Sequence, residues 1–291
     1  MEIVTFATTK GGVGKTTLTF NFASYLAHQG KKVLLMDLDQ QNSLSRTYDQ
    51  TDQIGTVEQI FNVYETDRQP VVPVNVRKNI DLIVGATNLD KIQSRLVPEA
   101  NKNVILLFWL KQHVKDIVEK YDYLIIDCHN DLGIATANAI AVSDVVFCPV
   151  TPAKYSVESM ADFETRFEVC KNETINYDTG KTIVKAKLYY IANRISHTNN
   201  NIDKNFIKAV DNDTEHKWIA KIPERILLRR TNEDGVSVSD MQDIAQLSAD
   251  KLTSDQKNNL KWMENRKYYK SQNSEKYNEF NILFDKIAKF A

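Results

Sequence analysis

A glycine-rich loop that follows a short apolar run constrains this chain more than any other feature of its sequence. The run covers residues 3–7, and the loop reads Lys-Gly-Gly-Val-Gly-Lys-Thr-Thr over residues 10–17. Glycines allow the backbone to curl so that successive N–H groups point at phosphate oxygens, at the positive end of the following helix. The sequence therefore predicts a phosphate-binding loop between a strand and a helix. Its residues are Lys10, Gly11, Gly12, Val13, Gly14, Lys15, Thr16 and Thr17.

The loop carries the charge and the hydroxyl that a nucleoside triphosphate requires, and one lysine more than usual. Lys15 can neutralise the β- and γ-phosphates, and Thr16 offers a hydroxyl to Mg²⁺. The ordinary pattern G-x-x-x-x-G-K-[ST] needs a glycine where this chain has Thr9. Lys10 is the additional lysine. Its ammonium either supplies positive charge where negative charge develops during γ-phosphoryl transfer, or is a solvated group at a strand end.

Apolar runs alternate with helical patterns, which predicts an α/β fold with a mostly parallel twisted sheet and helices on both faces. The predicted strands cover residues 3–7, 32–36, 80–84, 123–126, 145–150 and 187–192. The predicted helices cover residues 15–29, 101–120, 134–142 and 157–170. Long helices rich in Lys, Glu, Gln and Asn are expected beyond residue 241. We expect a nucleotide-binding domain over 1–245 and a helical C-terminal extension over 246–291, packed on the domain or continuous with it.

Composition and charge limit the compartment and the partners. The chain of 291 residues is 42% hydrophobic and 26% charged, with a net charge of −1, as in ordinary globular proteins. Beyond residue 250 the chain has nine Lys and Arg residues but five Asp and Glu residues, so this segment is basic. A basic segment can bind DNA or anionic lipid, or it can simply be a solvated helical face. Neither a signal peptide nor an apolar run of about 18 residues is found, which predicts a cytoplasmic protein.

The cysteines give no sign of a metal or disulfide site. Cys128, Cys148 and Cys170 stand far apart without C-x-x-C spacing. Two of them lie in apolar runs, where a cysteine acts as a small hydrophobic residue.

Two acids end the second predicted strand. Asp37 and Asp39 are separated by one residue, so both lie on one face of an extended chain. The carboxyl ends of strands in such sheets are where ligands collect. One carboxylate is suited to hold Mg²⁺ through water, and the other to align the water that attacks the γ-phosphate.

A third motif ends at another acid. Residues 121–127 read Tyr-Asp-Tyr-Leu-Ile-Ile-Asp, an apolar strand that places Asp127 for Mg²⁺. The next three residues, His129, Asn130 and Asp131, form either a sensor of the γ-phosphate or a loop whose sequence has changed without a functional effect. His129 lacks companions at metal-ligand spacing.

These motifs resemble the ParA/MinD family of deviant Walker A ATPases, most closely the ParA and Soj partition ATPases. Members open with K-G-G-x-G-K-[ST], continue with D-x-D-P-Q, and follow the third strand with C-P-P-x-L-G. This chain keeps the first pattern, has Gln40 in place of the proline of the second, and loses both prolines of the third. The resemblance covers about residues 1 to 245. It implies ATP and Mg²⁺ as cofactors.

The resemblance also implies residue roles. Lys10 matches the lysine that reaches the nucleotide of a partner subunit, so that ATP joins a face-to-face homodimer. Asp39 matches the hydrolytic residue, while Asp37 and Asp127, with Thr16, support the metal.

Later segments resemble the family less closely. Asn193 and Pro223 match strand ends that hold the adenine, or are ordinary strand termini. Candidate DNA contacts, each better explained as a solvated residue, are Arg225, Arg229, Arg230, Lys261 and Lys267.

The function implied is that of a nucleoid-associated partition ATPase. Its ATP-bound dimer would bind DNA without sequence preference, and a ParB-like centromere-binding protein would stimulate an otherwise slow hydrolysis. The alternative is a MinD-like membrane-associated ATPase, because an amphipathic stripe ends the chain, although such a stripe also fits packing on its own domain. The stripe consists of Phe280, Leu283, Phe284, Ile287 and Phe290. An iron–sulfur reductase is not favoured, because Cys128 and Cys148 do not match its ligand positions.

Overall fold

The computed structural model describes residues 1–51, 53–153, 156–176, 179–196, 200–246 and 274–291. The strands are β1 (Glu2–Phe6), β2 (Val33–Leu38), β3 (Val74–Arg77), β4 (Ile80–Ile83), β5 (Tyr123–Cys128), β6 (Val145–Val150), β7 (Ile175–Asn176), β8 (Lys181–Thr182), β9 (Lys187–Ile195) and β10 (Trp218–Pro223). The helices are α1 (Lys15–His28), α2 (Ser43–Thr47), α3 (Glu58–Phe61), α4 (Leu89–Leu96), α5 (Ile105–Gln112), α6 (Ile134–Val142), α7 (Ser156–Glu173), α8 (Asn201–Asn212), α9 (Ile226–Asp234), α10 (Val238–Gln246) and α11 (Ser274–Ala288).

One twisted sheet organises the described residues. Eight of their strands pair in the order β10-β9-β6-β1-β5-β2-β4-β3, and every pairing is parallel except the edge pair of β3 and β4. The predicted fold class is confirmed. The six predicted strands are all present. Because β1, β5 and β2 are adjacent and parallel, their carboxyl ends meet at one edge of the sheet.

Hydrophobic cores cover both faces of the sheet, which is why the central strands are apolar on both sides. One core contains Phe6, Phe22 and Phe147, whose rings lie 5.4 to 6.2 Å apart by centroid, and is covered by α1, α9, α10 and α11. The other core packs α5, α6 and α7 against the opposite face. The strands that carry the loop of residues 10–17 and the acidic strand ends are therefore held in a rigid layer.

The predicted helix over residues 101–120 is wrong as a single helix. The chain forms a 3₁₀ turn at Lys102–Val104, then α5, and then a π-helical turn at Val114–Val118. His113 ends α5 with φ −114° and ψ 37°, outside the helical region. Its ring stacks on Trp109 and its Nδ1 lies 2.8 Å from the Trp109 carbonyl oxygen, so this side chain competes with the helical backbone pattern.

The C-terminal helix α11 packs on the sheet domain. Phe280, Phe284 and Ile287 are almost completely buried, and the Phe284 ring lies 6.3 Å from that of Phe22. Leu283 and Phe290 are partly buried against the same core. The apolar stripe of the C-terminus therefore faces the protein's own core. The division at residue 245 stays a prediction, since residues 247–273 lie outside the described part of the chain. Among the helices that the structure describes, none has the length and apolar character that a membrane crossing requires.

Candidate active site

The phosphate-binding loop emerges from β1 at the centre of the sheet and leads into α1. Gly12 and Gly14 have φ of 72° and 94°, in the left-handed region that glycine enters without strain. A Cβ atom on Gly14 would lie 2.6 Å from Asn193 Nδ2, and one on Gly11 would lie 2.9 Å from Asn130 Nδ2. Close neighbours and left-handed backbone together require glycine here.

Replacing Gly14 by Ala is expected to lower both stability and ATP affinity. The left-handed backbone alone costs about 1–2 kcal/mol for a residue with a Cβ atom, and Asn193 must also move. Urea unfolding and nucleotide titration measure the two effects. Gly30→Ala is the matched control, because Gly30 has φ 81° but nothing within 4 Å of its Cβ position. Equal unfolding free energies and equal ATP affinities in the two variants would show that crowding at Gly14 does not matter.

Lys15 and Thr16 occupy the first turn of α1, opposite the end of β5. The Lys15 side chain is buried and its ammonium donates to Asn130 Oδ1 at 2.5 Å. The Thr16 hydroxyl donates to Asp127 Oδ2 at 2.6 Å, and the Thr19 hydroxyl to Asp127 Oδ1 at 3.3 Å. The loop and the third motif, separated by more than a hundred residues, therefore form a single site.

Asp37 and Asp39 end β2 beside this site but have different surroundings. Asp37 is the register partner of Asp127 on the neighbouring strand β5. It accepts hydrogen bonds from the backbone N–H and hydroxyl of Ser45 and from the Asp39 N–H. Asp39 is 9% exposed, and its Oδ1 accepts a hydrogen bond from the Gln41 N–H. Asp37 is thus a buried support, and Asp39 is the carboxylate that borders open space.

The electrostatics of the two buried acids favour a cation. Burial, and next the negative charge of Asp37, raise the pKa of Asp127 to about 7. Burial raises the pKa of Asp37 to about 6, against the opposing effect of the hydrogen bonds from Ser45. The described residues hold no cluster of three or more His, Cys, Asp or Glu side chains able to bind a metal on their own. The hard oxygens of Thr16 and Asp127 fit Mg²⁺, which keeps waters and takes its remaining ligands from substrate phosphates.

Two connected cavities adjoin the loop. The larger cavity, of about 540 Å³, is lined by Gly12, Gly14, Lys15, Thr16, Thr17, Asp39, Gln41, Ser43, Arg46, Thr47, Asn130, Arg194, Asn232 and Glu233. The smaller cavity, of about 260 Å³, is lined by Gly14, Thr17, Asn193, Arg194, Pro223, Glu224, Arg225, Ile226, Leu228 and Arg229. Gly14, Thr17 and Arg194 border both. Phosphates and base of one nucleotide can therefore occupy neighbouring spaces.

The smaller cavity contains both residues that the sequence suggested for adenine. The Asn193 amide donates to the Val13 carbonyl at 2.7 Å, which ties the end of β9 to the loop. Asn193 is 2% exposed, and its Oδ1 has no hydrogen-bond partner among the described residues. A buried acceptor of this kind fits an amino group on a ligand, because an unsatisfied buried oxygen is costly.

The candidate DNA contacts lie in different parts of the chain's structure. Arg225 and Arg229 line the smaller cavity, and the Arg225 guanidinium lies 3.4 Å from the Glu279 carboxylate on α11. Arg230 Nε lies 3.8 Å from the Glu233 carboxylate. Lys261 and Lys267 fall outside the described residues. Arg225 and Arg229 are therefore placed beside the nucleotide space rather than on a separate surface.

Lys10 lies apart from both cavities. It is half-buried, and none of the described residues forms a hydrogen bond or ion pair with its ammonium. Its N–H donates to the Thr8 hydroxyl at 3.4 Å, and the preceding Thr9 hydroxyl donates to the Ser159 carbonyl on α7 at 3.2 Å. The two lysines of the loop thus have different environments, and only Lys15 faces the larger cavity.

Sequence reasoning missed two arginines and part of α9. Arg194 borders both cavities and has φ 55°, an unusual backbone conformation for arginine that often marks a functional site. Arg46 on α2, with Asn232 and Glu233 on α9, closes the larger cavity. Arg194 directly follows Asn193, so its place at the site could have been predicted from the sequence. The position of Arg46 could not, because it results from the way in which α2 folds back.

Residues 1–181 match the family model AAA_31, described as an AAA domain. The chain belongs to this family. The match contains the phosphate-binding loop and all three acids of the site.

Known relatives extend this assignment. The chain is 33% identical over 162 residues to the sporulation initiation inhibitor protein Soj of Bacillus subtilis. The aligned residues cover 55% of this chain and 62% of Soj. Over 174 residues it is 30% identical to the chromosome partitioning protein ParA of Myxococcus xanthus, covering 58% and 59% of the two chains. The resemblance to ParA and Soj is confirmed in sequence. The matches span between half and about two thirds of these relatives' own lengths.

Among solved structures, a candidate plasmid partition protein of Borrelia burgdorferi B31 bound to AMPPNP is 27% identical, with a TM-score of 0.60. The similarity covers 81% of this AAA-domain chain and 90% of that protein. Cobyrinic acid a,c-diamide synthase from Mycobacterium smegmatis, with ADP and magnesium, has a TM-score of 0.65 at 21% identity, covering 80% and 93% of the chains. That second likeness concerns the fold alone, which hosts more than one chemistry.

Proposed function

We propose that this AAA-domain protein is a partition ATPase that hydrolyses ATP to ADP and phosphate at the larger cavity. The observation that carries the proposal is the convergence of Lys15, Thr16 and Asp127 at one site, on a loop that also carries a second lysine, Lys10. The similarity to Soj and ParA supports the partition role. The Borrelia structure with AMPPNP supports an adenine nucleotide as the ligand.

Each residue then has a task set by its position. The loop backbone and Lys15 bind the phosphates, and Asn193 and Pro223 border the base. Thr16 and Asp127 hold Mg²⁺, with Asp37 positioned by Ser45 behind them. Bound Mg²⁺ would supply charge neutralisation at the β- and γ-phosphate oxygens.

Asp39 aligns the attacking water. Its carboxylate borders the larger cavity, and one oxygen is fixed by the Gln41 N–H at 2.8 Å. Hydrolysis is slow until a ParB-like partner stimulates it, because the final positioning of the water waits on that partner. Gln40 stands where the family has a proline, which would restrict the backbone.

Lys10 acts across an ATP-dependent homodimer. A lysine that has no partner within its own described chain and lies outside the cavity lining is available to a second subunit. The dimer then binds DNA without sequence preference, through phosphate contacts from basic residues. A protein with this role would act in the cytoplasm, on the nucleoid.

The MinD-like alternative loses the feature that favoured it. Phe280, Phe284 and Ile287 are buried in the core, so a membrane-binding α11 would first have to leave its own domain. Removing each of these side chains from the core costs about 1.5–3 kcal/mol. We therefore expect the chain to remain in the supernatant when it is sedimented with anionic vesicles.

The test of the function is DNA retention that depends on the nucleotide. The parent chain should retain DNA in a filter assay with ATP or a hydrolysis-resistant analogue, and not with ADP. Retention should fall steeply with salt, since each phosphate contact adds about 0.9 to the slope of log K against log salt. ATP hydrolysis without any nucleotide-dependent DNA retention would leave an ATPase with a different role.

Lys10→Ala is expected to bind ATP with an affinity within about threefold of the parent, because charges outside a site change affinity by less than about 1 kcal/mol. The variant should lose ATP-dependent dimerisation and DNA retention, because Lys10 acts on the second subunit. Nucleotide titration, light scattering and the filter assay measure these effects. Lys78→Ala, at an exposed lysine of the β3–β4 turn, is the control and should behave as the parent. A Lys10→Ala chain that still dimerises and retains DNA would remove the role across subunits.

A further inference from the structure

The loop after β5 sends one side chain into the phosphate-binding loop. Asn130 lies three residues beyond Asp127 and lines the larger cavity. Its Oδ1 accepts the Lys15 ammonium at 2.5 Å. Its Nδ2 faces Gly11 so closely that a Cβ atom there would lie 2.9 Å away. The carboxamide therefore lies between the phosphate-binding lysine and the backbone at Gly11 of the same loop.

The segment that carries Asn130 is held at both ends. It starts at Cys128, the buried end of β5, and leads into α6. The Gly133 N–H donates to Asp131 Oδ1 at 3.2 Å, and the Ala135 N–H donates to Gln93 Oε1 on α4 at 2.8 Å. Asn130 is thus presented to the loop by a short, anchored turn.

A neutral carboxamide is a weak partner for a buried lysine, and an anionic phosphate is a strong one. The Lys15 ammonium makes a charge-assisted hydrogen bond with either acceptor, but only the phosphate adds the attraction of an opposite charge. A phosphate that reaches Lys15 therefore displaces or shares the Asn130 carbonyl. Unlike a carboxylate, the carboxamide also has N–H donors that can bind a phosphate oxygen.

We propose that Asn130 recognises the γ-phosphate and so distinguishes ATP from ADP. With ADP, Lys15 can still reach the β-phosphate, but no γ-phosphate is present for the Asn130 amide to bind. With ATP, Lys15 turns to the phosphates and the Asn130 amide donates to the terminal one. The family pattern has proline at this position, which lacks a side-chain donor, so the inference concerns this chain in particular. It rests on the proposed ATP site.

The ratio of two affinities tests the inference. Dissociation constants for ATPγS and for ADP, each with Mg²⁺, are measured by titration calorimetry on the parent and on Asn130→Ala. We expect the variant to bind ATPγS at least about tenfold more weakly than the parent, because a hydrogen bond to a charged group is lost. ADP affinity should stay the same or improve. A variant whose ATPγS-to-ADP ratio equals that of the parent would overturn the inference.

Further variants separate recognition from folding. Asn88→Ala is the matched control, because Asn88 is exposed and its side chain does not cap α4; it should keep the parent ratio. Asn130→Asp keeps the shape of the side chain and should weaken ATPγS further, since a carboxylate repels the phosphate. Melting temperatures show whether each variant is folded. If Asn130→Ala is not folded, the affinity ratio is measured on Asn130→Asp instead. A parent chain that binds neither nucleotide would overturn the proposed function and this inference together, whereas an unchanged ratio overturns the inference alone.

Discussion

Replacing Lys15 by Ala is expected to weaken ATP binding roughly 100- to 1000-fold, the largest effect on ATP affinity of the changes considered in this site. Lys15 is 6% exposed and lines the larger cavity, where its ammonium donates to Asn130 Oδ1. Truncating one partner of a buried charged pair costs about 2–5 kcal/mol, and each 1.4 kcal/mol is a factor of ten. Titration with a fluorescent ATP analogue measures the loss.

Two comparisons make the Lys15 result interpretable. Lys31→Ala removes an exposed lysine just after α1 and should leave ATP affinity unchanged. Thermal unfolding should show that Lys15→Ala is folded, because the hydrogen bond of the Lys15 side chain within the described residues is the one to Asn130 Oδ1. Parent-like ATP affinity in a folded Lys15→Ala chain would mean that the loop does not bind phosphate through this lysine.

Replacing Asp39 by Ala is expected to lower the rate of ATP hydrolysis by about 10²- to 10⁴-fold, the usual effect of losing a group that positions or activates water. ATP affinity should change by less than about threefold, because carboxylates contribute little to the binding of phosphate anions. The ATP-bound dimer should then persist on DNA. Phosphate release and the filter assay with ATP measure the two outcomes.

The Asp39 prediction depends on how the two acids of β2 differ. Asp37 is fully buried and bound by Ser45, whereas Asp39 borders the cavity. Asp67→Ala, in an exposed loop segment, is the control and should hydrolyse ATP as the parent does. A parent-like hydrolysis rate in Asp39→Ala would assign water positioning to another residue.

The sequence predicted the central sheet well because the information for it is local. Apolar runs of five or six residues define β2, β5 and β6 without knowledge of their neighbours. The edge strand β3 was missed, since it is short and follows Pro73, as edge strands often do. The strand β10 was not predicted from its apolar pattern, because Lys221 interrupts that pattern, and the resemblance implied only that a strand ends at Pro223.

The site was predictable where residue type and spacing specify the chemistry. Gly12, Gly14, Lys15 and Thr16 could be assigned from the loop alone, and Asp127 from the strand before it. Arg46 could not be assigned, because α2 brings it to the larger cavity only after the chain has folded back. The Lys15–Asn130 contact was equally hidden, since its partners are 115 positions apart.

The sequence by itself determined a phosphate-binding loop between strand and helix, acids at two strand ends, and a doubly covered parallel sheet. These follow from the backbone freedom of glycine, the charges of the side chains and the periodicity of apolar residues, all of which act over a few positions. Only the tertiary structure decided that Asp37 faces Asp127 across adjacent strands, and that Asn193 binds the Val13 carbonyl. Such contacts depend on strand order and register, which are fixed when the whole core packs.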